Sequence, residues 1–164
     1  TDVSRVFTHE LVRHRVGTAM SQESLRFVRL TDLEWFAPTV IQESEAAMTI
    51  FSKTFESLSD LQVKLAESFD LDSLDSFDEK KKITSAMRRV APIGLATNIG
   101  WSTNIRTLRH VIEQRTAPWA EEEIRLVFAK IAEIAIEKWP NMFSDYSYEI
   151  VDGLPVYTTS NRKV

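Results

Sequence analysis

The sequence predicts an α+β fold, mainly helical with a small β-sheet, and three observations carry that assignment. Long stretches repeat apolar residues at three- and four-residue spacing, as amphipathic helices do. Extended character is confined to short segments, the clearest flanking Asp152-Gly153, a dipeptide suited to a tight hairpin. The 164 residues are 43% hydrophobic and 27% charged, with four Gly and no Cys, a composition that fits an ordinary globular core. At this length a chain buries roughly 70% of the surface it exposes when unfolded, so neither metal nor disulfide is needed as a staple.

Taken in order, residues 2–12 place Val3, Val6, Phe7 and Leu11 at helical spacing and deliver Arg13 at the helix end. Residues 13–26 are polar and irregular, with Gly17, Thr18, Ser21 and Ser24, and Phe27 to Leu30 reads as a short strand. From Thr39 to Phe69 one long helix is expected, with Pro38 at its first turn and a stripe of Val40, Ala47, Ile50, Phe51, Phe55, Leu58, Leu61 and Leu65. Asp70 to Asp78 is an acidic, serine-rich break. Glu79 to Val90 forms the next helix, stopped by Pro92, and Ile93 to Trp101 is extended. Ser102 or Thr103 caps a helix whose stripe is Ile105, Leu108, Val111 and Ile112 and which runs to Arg115. Pro118 and Glu121 to Glu123 open another, carried by Ile124, Val127, Phe128, Ile131, Ile134 and Ala135 to Trp139 and Pro140. Tyr148 to Val151 and Leu154 to Thr158 then form the hairpin, with Pro155 weakening its second strand. The chain reads as a domain over residues 1–146 and a C-terminal tail over 147–164.

The absence of Cys excludes thiolate metal sites, redox dithiols and any cysteine nucleophile. No run reaches the ~18 apolar residues of a membrane span, and no basic and apolar leader opens the chain. A soluble, cytoplasmic protein without a membrane role is therefore expected. The chain begins at Thr1 within a helical pattern, so an incomplete N-terminus is also expected.

Charge is partitioned more sharply than the net −4 conveys. Ten of the twelve arginines fall in two windows, Arg5, Arg13, Arg15, Arg26 and Arg29, then Arg88, Arg89, Arg106, Arg109 and Arg115. Residues 31–83 hold twelve acids, five lysines and no arginine. Guanidinium forks bind carboxylate and phosphate bidentately, so segregated arginine points to anion sites. The acidic middle argues against a nucleic-acid face, which needs a continuous basic stripe, and leaves a small phosphorylated ligand.

Several motifs fail. His9 and His14 stand five apart, about 140° around a helix, and cannot converge on one zinc as HExxH does, so no metal site is expected. Gly17, Gly94, Gly100 and Gly153 form neither GxGxxG nor a Walker A loop, and GxSxG is absent. What remains is dense: Arg13-His14-Arg15, a Gly/Thr/Ser loop, then Ser24 and Arg26, which together supply the forks, hydroxyls and loop N–H groups that a phosphate or pyrophosphate requires.

The stretch Glu10-Leu11-Val12-Arg13-His14-Arg15 followed by Ser21-Gln22-Glu23-Ser24-Leu25-Arg26-Phe27 resembles the signature of the flavin-dependent thymidylate synthases. The block from Asn104 to Arg115, followed by Ala120 to Arg125, looks like that family's second block, and Pro92, Trp101 and Arg88 fall at matching places. The resemblance covers residues 2–146 and implies a thymidylate synthase-complementing protein-like fold. It also implies FAD as cofactor, methylenetetrahydrofolate and NADPH as co-substrates, dUMP as substrate, and a homotetramer with shared active sites. That chemistry dispenses with the thiolate of the cysteine-dependent thymidylate synthase, which matches a chain without Cys. By resemblance Arg115 is catalytic: a cation held against the pyrimidine stabilises the anion formed when its N3 proton is lost. The same resemblance assigns Glu10, Arg13, Ser24, Arg26, Arg88 and Arg115 to dUMP, and Arg13, His14, Arg15, Asn104, Arg106 and His110 to FAD. Arg89, Arg109 and Arg125 have no match and are expected to make surface or intersubunit ion pairs.

The chain departs from the family in two respects. Eight residues, Val16 to Glu23, separate Arg15 from Ser24, one more than usual. Gln22 or Glu23 therefore holds the position that contacts nucleotide and flavin, with alignment from Ser24 favouring Gln22. Family members also have several dozen residues before this point. A non-catalytic nucleotide-binding, flavin-binding or assembly protein that keeps the scaffold is the alternative.

Overall fold

In the computed structural model, which describes residues 1–31 and 34–161, the helical periodicity is realised and the strands pair two by two. The elements run β1 (Val3–Ser4), α1 (Arg5–Leu11), β2 (Thr18–Gln22), α2 (Thr39–Gln42), α3 (Glu45–Ser68) and α4 (Phe77–Met87), followed by a 3₁₀ turn (Arg88–Val90). They continue with β3 (Ala96–Thr97), β4 (Ile99–Thr103), α5 (Ile105–Thr116), α6 (Glu122–Lys138), α7 (Pro140–Phe143), β5 (Tyr146–Val151) and β6 (Leu154–Thr159). The chain divides into two compact units, one of residues 1–6 and 22–99, the other of 7–21 and 100–164.

In the first unit, Val3 and Ser4 are not helical as expected. They pair antiparallel with Thr97 and Ala96, and the opening N–H groups of α1 donate to the carbonyls of Leu95 and Ile93, both at 3.0 Å. Those bonds satisfy donors that a helix start otherwise leaves to a capping side chain. Phe27 to Leu30 is bent and irregular rather than a strand. Leu25 and Leu30 are instead drawn into a core with Phe55 and Leu95, flanked by Trp35, Phe51 and Leu58.

The single helix expected from Thr39 is broken at Ser44, whose extended backbone starts α3 and whose side chain accepts from the Ala47 N–H. The C-terminus of α3 falls where expected. Asp70 takes a left-handed φ of 47°, and the Asp70 and Leu71 N–H groups donate back to Glu67 and Ala66 at 2.9 and 3.0 Å, the Schellman arrangement. Leu71 then packs with Ala66 and Met87 in a second cluster. α4 starts two residues before the expected Glu79, because Ser76 caps it by accepting from the Glu79 N–H.

In the second unit β2 pairs with β4, a strand that polar residues 13–26 did not announce. α5 and α6 pack on each other and on β6. Leu108, Val111, Ile112, Ile124, Phe128, Ala132 and Ala135 are buried at the centre. Ile134, expected in the apolar stripe of α6, is 44% exposed; Ala132 is buried in its place, and Ala135 is buried as expected. Asn104 caps α5, accepting the Thr107 N–H at 2.8 Å, while Ser102 and Thr103 are held in β4.

The hairpin is formed. Asp152 and Gly153 have φ of 53° and 77° and Val151 faces Leu154, a two-residue turn with both central residues left-handed. Pro155 lies opposite Ile150, one step beyond the bonded closing pair, where the partner strand makes no use of an N–H. Lys163, Arg162 and Val164 of the expected tail lie outside the described residues. Truncation Phe128→Ala, which removes a fully buried ring that meets Trp101 edge-on, is expected to lower unfolding free energy by about 3–5 kcal/mol in denaturant titration.

Candidate functional site

The second unit joins the two arginine-rich blocks of the sequence through backbone. After α1 the chain turns sharply, with the Arg13 and His14 N–H groups donating to Glu10 and Leu11 at 3.2 and 3.1 Å. Gly17 takes φ +68°, and a Cβ there would overlap the Asn104 amide and lie 2.8 Å from Thr107 Oγ1. Only glycine allows this approach. The Gly17 carbonyl accepts from the Asn104 N–H at 3.0 Å and from Thr103 Oγ1 at 3.2 Å, and the Val16 carbonyl accepts from Thr107 Oγ1 at 2.8 Å. The Arg-His-Arg loop is thus sewn to the N-terminus of α5.

The far end of α5 closes the other side. Arg115 Nε donates to His14 Nε2 at 2.7 Å, Nη1 donates to the Glu10 carboxylate at 2.6 Å, and Nη2 donates to the Glu10 carbonyl at 2.9 Å. Burial lowers the His14 pKa to about 4, helped by the charge of Arg115 and then by His110. His14 is therefore neutral at ordinary pH, as an acceptor at Nε2 must be.

A cleft of about 780 Å³ is lined by Arg13, His14 and Arg15 from the loop, Arg106 and His110 from α5, and Tyr146 at the start of the hairpin. His14 and His110 meet edge-on with ring centroids 6.4 Å apart. Arg13, Arg15 and Arg106 form no ion pair among the described residues. These three guanidinium groups outnumber the one carboxylate on the same concave surface, Glu113, and suit a polyanionic ligand; the volume lies in the roughly 300–1,000 Å³ range of cofactor sites. Asn104 is committed to capping, and its side-chain amide abuts Gly17.

The remaining predicted residues lie in the first unit. The Glu23 N–H donates to the Asn98 carbonyl at 2.9 Å, and its carboxylate accepts from Asn98 Nδ2 at 3.0 Å. Gln22 ends β2 and is half-buried beside it in sequence. Ser24 Oγ accepts from the Arg26 N–H at 3.4 Å, and the Arg26 carbonyl accepts from Thr84 Oγ1 at 2.8 Å. Arg88 is exposed, with Nε donating to the Ser85 carbonyl at 3.3 Å. Burial and the charge of Arg88 both lower the pKa of Arg5. Arg5 therefore adds to the positive field around Arg88, a contribution its place before the motif did not signal.

Two arginines expected at the surface or between subunits are otherwise engaged. Arg109 forms a bidentate pair with Asp145 at 2.8 and 2.6 Å, and its guanidinium lies 4.8 Å from the Tyr146 ring centroid. Thr159 and Asn161 also donate to Asp145, at 2.6 and 2.9 Å, and these bonds hold its carboxyl well below the usual range. Arg125 is buried at 5% exposure, donating to the Val151 carbonyl at 2.8 Å beside the hairpin turn. Arg89 is exposed, as expected. The sequence reading missed Tyr146 and Asn161 as cleft residues; the only available signal was the Asp-Gly turn, which places both strand ends of the hairpin together.

A family model described as thymidylate synthase complementing protein matches residues 1–141. Among curated proteins, the flavin-dependent thymidylate synthase of Corynebacterium glutamicum is 33% identical over 96% of this chain and 64% of its own length. That of Mycolicibacterium gilvum is 32% identical over 97% and 65%, and that of Corynebacterium diphtheriae 30% over 96% and 64%. The chain thus spans about 64% of the length of such relatives. A crystal structure of thymidylate synthase X from Helicobacter pylori with FAD and dUMP superposes with a TM-score of 0.61 at 19% identity, covering 88% of this chain and 68% of that one. At that identity the likeness is one of fold.

The neutral state of His14 has a thermodynamic consequence. Below its ordinary pKa of 6.5 an unfolded chain protonates this imidazole, whereas the folded chain does so only near 4; stability contributed by the neutral ring is complete above 6.5 and lost as pH falls through this window. Glu121, whose pKa is raised by burial, acts in the opposite sense, so the comparison must be between variants. The urea midpoint of the natural chain is expected to fall more steeply from pH 7 to 4 than that of His14→Gln. Parallel curves would exclude the effect.

Proposed function

The chain belongs to the thymidylate synthase complementing protein family, and from that membership we propose that the whole protein is an FAD-dependent thymidylate synthase. The reaction is the reductive methylation of dUMP to dTMP, with methylenetetrahydrofolate as carbon donor and NADPH as reductant. The observation that carries the proposal is the cleft of the second unit, where Arg13, His14, Arg15, Arg106 and His110 gather from two separate sequence blocks, with Arg115 bonded to His14.

The donor set fits FAD. Arg13, Arg15 and Arg106 offer forks for its pyrophosphate, and His14 and His110 offer ring surfaces and nitrogens on the same wall. Bound there, FAD supplies the redox centre through which reducing equivalents pass. The chain's own residues then bind and polarise the nucleotide. Ser24, Arg26 and Arg88 suit the dUMP phosphate, with Arg5 strengthening the field around Arg88. By the family resemblance, Gln22 or Glu23, Glu10 and Arg13 are nucleotide contacts as well. Arg115 stabilises the pyrimidine anion left when the N3 proton departs, which makes C5 nucleophilic without a cysteine adduct at C6.

Assembly as a homotetramer with shared sites is part of the same proposal. Val40 and Ile50 are among the large apolar side chains exposed in the first unit, as a subunit interface requires. We assign the protein to the cytoplasm; among the described residues no helix is long and apolar enough to cross a membrane.

The purified full-length protein is expected to be yellow, to bleach with NADPH, and to reoxidise with dUMP and methylenetetrahydrofolate as dTMP forms. Colourless protein that cannot be reconstituted with FAD would point instead to a non-catalytic scaffold. Arg115→Ala is expected to keep flavin and to lose turnover by on the order of 10²-fold or more, the scale of removing a charge-stabilising donor. Unchanged dTMP formation would remove Arg115 from that role.

A further inference from the structure

We propose that His14 is a positioning residue for Arg115, an acceptor that, with Glu10, fixes the guanidinium and leaves two of its N–H donors for an anionic ligand. The identity of that ligand as the pyrimidine of dUMP rests on the reading above; the clamp itself rests on geometry.

A guanidinium carries five N–H donors in one plane. Nε gives its single donor to His14 Nε2 at 2.7 Å, Nη1 gives one to the Glu10 carboxylate at 2.6 Å, and Nη2 gives one to the Glu10 carbonyl at 2.9 Å. Each nitrogen is used once. One donor on each terminal nitrogen is left without a bond among the described residues, and these are what the clamped group can offer an anion. The guanidinium is a rigid conjugated plane, so its orientation is set by rotation about the Cδ–Nε bond. The bond from Nε to His14 fixes that rotation at the inner edge, while Glu10 holds the terminal nitrogens.

The acceptor at that edge must be a lone pair. An imidazolium would set N–H against N–H, and a neutral ring protonated on Nε2 would do the same; only the tautomer with its proton on Nδ1 accepts from Arg115. Burial, Arg115 and His110 all act against the imidazolium. The backbone makes the contact repeatable, since the loop that carries His14 is closed on itself by Thr18 Oγ1 donating to the His14 carbonyl at 2.8 Å and is bonded to the start of α5 through Gly17 to Asn104 and Val16 to Thr107. The Arg115 side chain is only 17% exposed, so water competes weakly for these donors.

The tautomer is tested on the full-length protein labelled with ¹⁵N-histidine. At pH 7 the His14 ring is expected to be neutral with its proton on Nδ1, and Arg115→Lys to shift the Nε2 resonance. A neutral ring protonated at Nε2, or an imidazolium, would overturn the clamp. Positioning is tested by dTMP formation per bound FAD. His14→Leu is expected to lose at least tenfold in kcat, and His14→Gln, whose carboxamide oxygen can accept at the same edge, to recover most of it. In an Arg115→Ala background His14→Leu is expected to cost nothing further. A glutamine no better than leucine, or fully additive losses, would overturn positioning. Should the leucine variant fail to fold, the tautomer and the glutamine variant still decide. If the natural protein forms no dTMP, the functional reading fails, and the ¹⁵N spectrum still decides the clamp.

Discussion

The guanidinium of Arg115 bridges residues about a hundred positions apart, joining the end of α5 to Glu10 and His14. Hydrogen bonds to charged groups contribute about 1.5–3 kcal/mol each when shielded and less where water reaches them. Side-chain exposures of 17% for Arg115 and 28% for Glu10 place this group between those limits. Its value lies in what it aligns. Backbone bonds from Val16 and Gly17 secure the start of α5, and Arg115 secures its last turn. The Arg-His-Arg loop is thus held along the length of one helix, and the cleft wall takes its shape from both anchors.

Arginine content alone does not distinguish the tasks that arginines perform here. Arg109 is consumed by Asp145 and lies over Tyr146, tying α5 to the hairpin. Arg125 is buried and fastens the hairpin turn. Arg115 is clamped with donors to spare, and Arg13, Arg15 and Arg106 face the cleft without an acidic partner among the described residues. The segregation of arginine away from residues 31–83 did pick out the windows that supply the cleft's arginines. What separates a structural arginine from a ligand-facing one is whether the fold brings a carboxylate or carbonyl to it, and Asp145 lies 36 positions from Arg109.

The same distinction explains how much was legible. Elements set by local physics could be read directly: the Asp152-Gly153 turn, the bulk of α5 and α6, and the end of α3. Elements set by a distant partner could not. Val3 and Ser4 carry helical periodicity yet pair with residues 96 and 97, and Thr18 to Gln22 looks like loop because its pairing partner is β4. Conversely Phe27 to Leu30 has strand-forming residues but no pairing strand among the described residues, so it stays irregular. Three capping residues in succession, Ser102, Thr103 and Asn104, concealed the start of α5 until β4 claimed the first two. At the site, the residue types and blocks were readable from the motifs. The bonds of Arg115 to Glu10 and His14 and the cleft-facing place of Tyr146 were not, since they depend on packing across the chain.

The second unit is discontinuous, residues 7–21 completed only by 100–164. Synthesis runs at roughly 5–20 residues per second, so the roughly hundred residues between His14 and Arg115 impose a delay of about 5–20 s. During that interval Phe7 and Leu11, 3% and 2% exposed in the finished fold, wait for their packing partners from residues 100–164, while much of the first unit has already been made. Closing so long a loop adds an entropic barrier that short-range elements do not face. The unit that carries the cleft is therefore completed later than the first on the ribosome, and nascent chains pass through an interval with one wall of the cleft made and the other still untranslated.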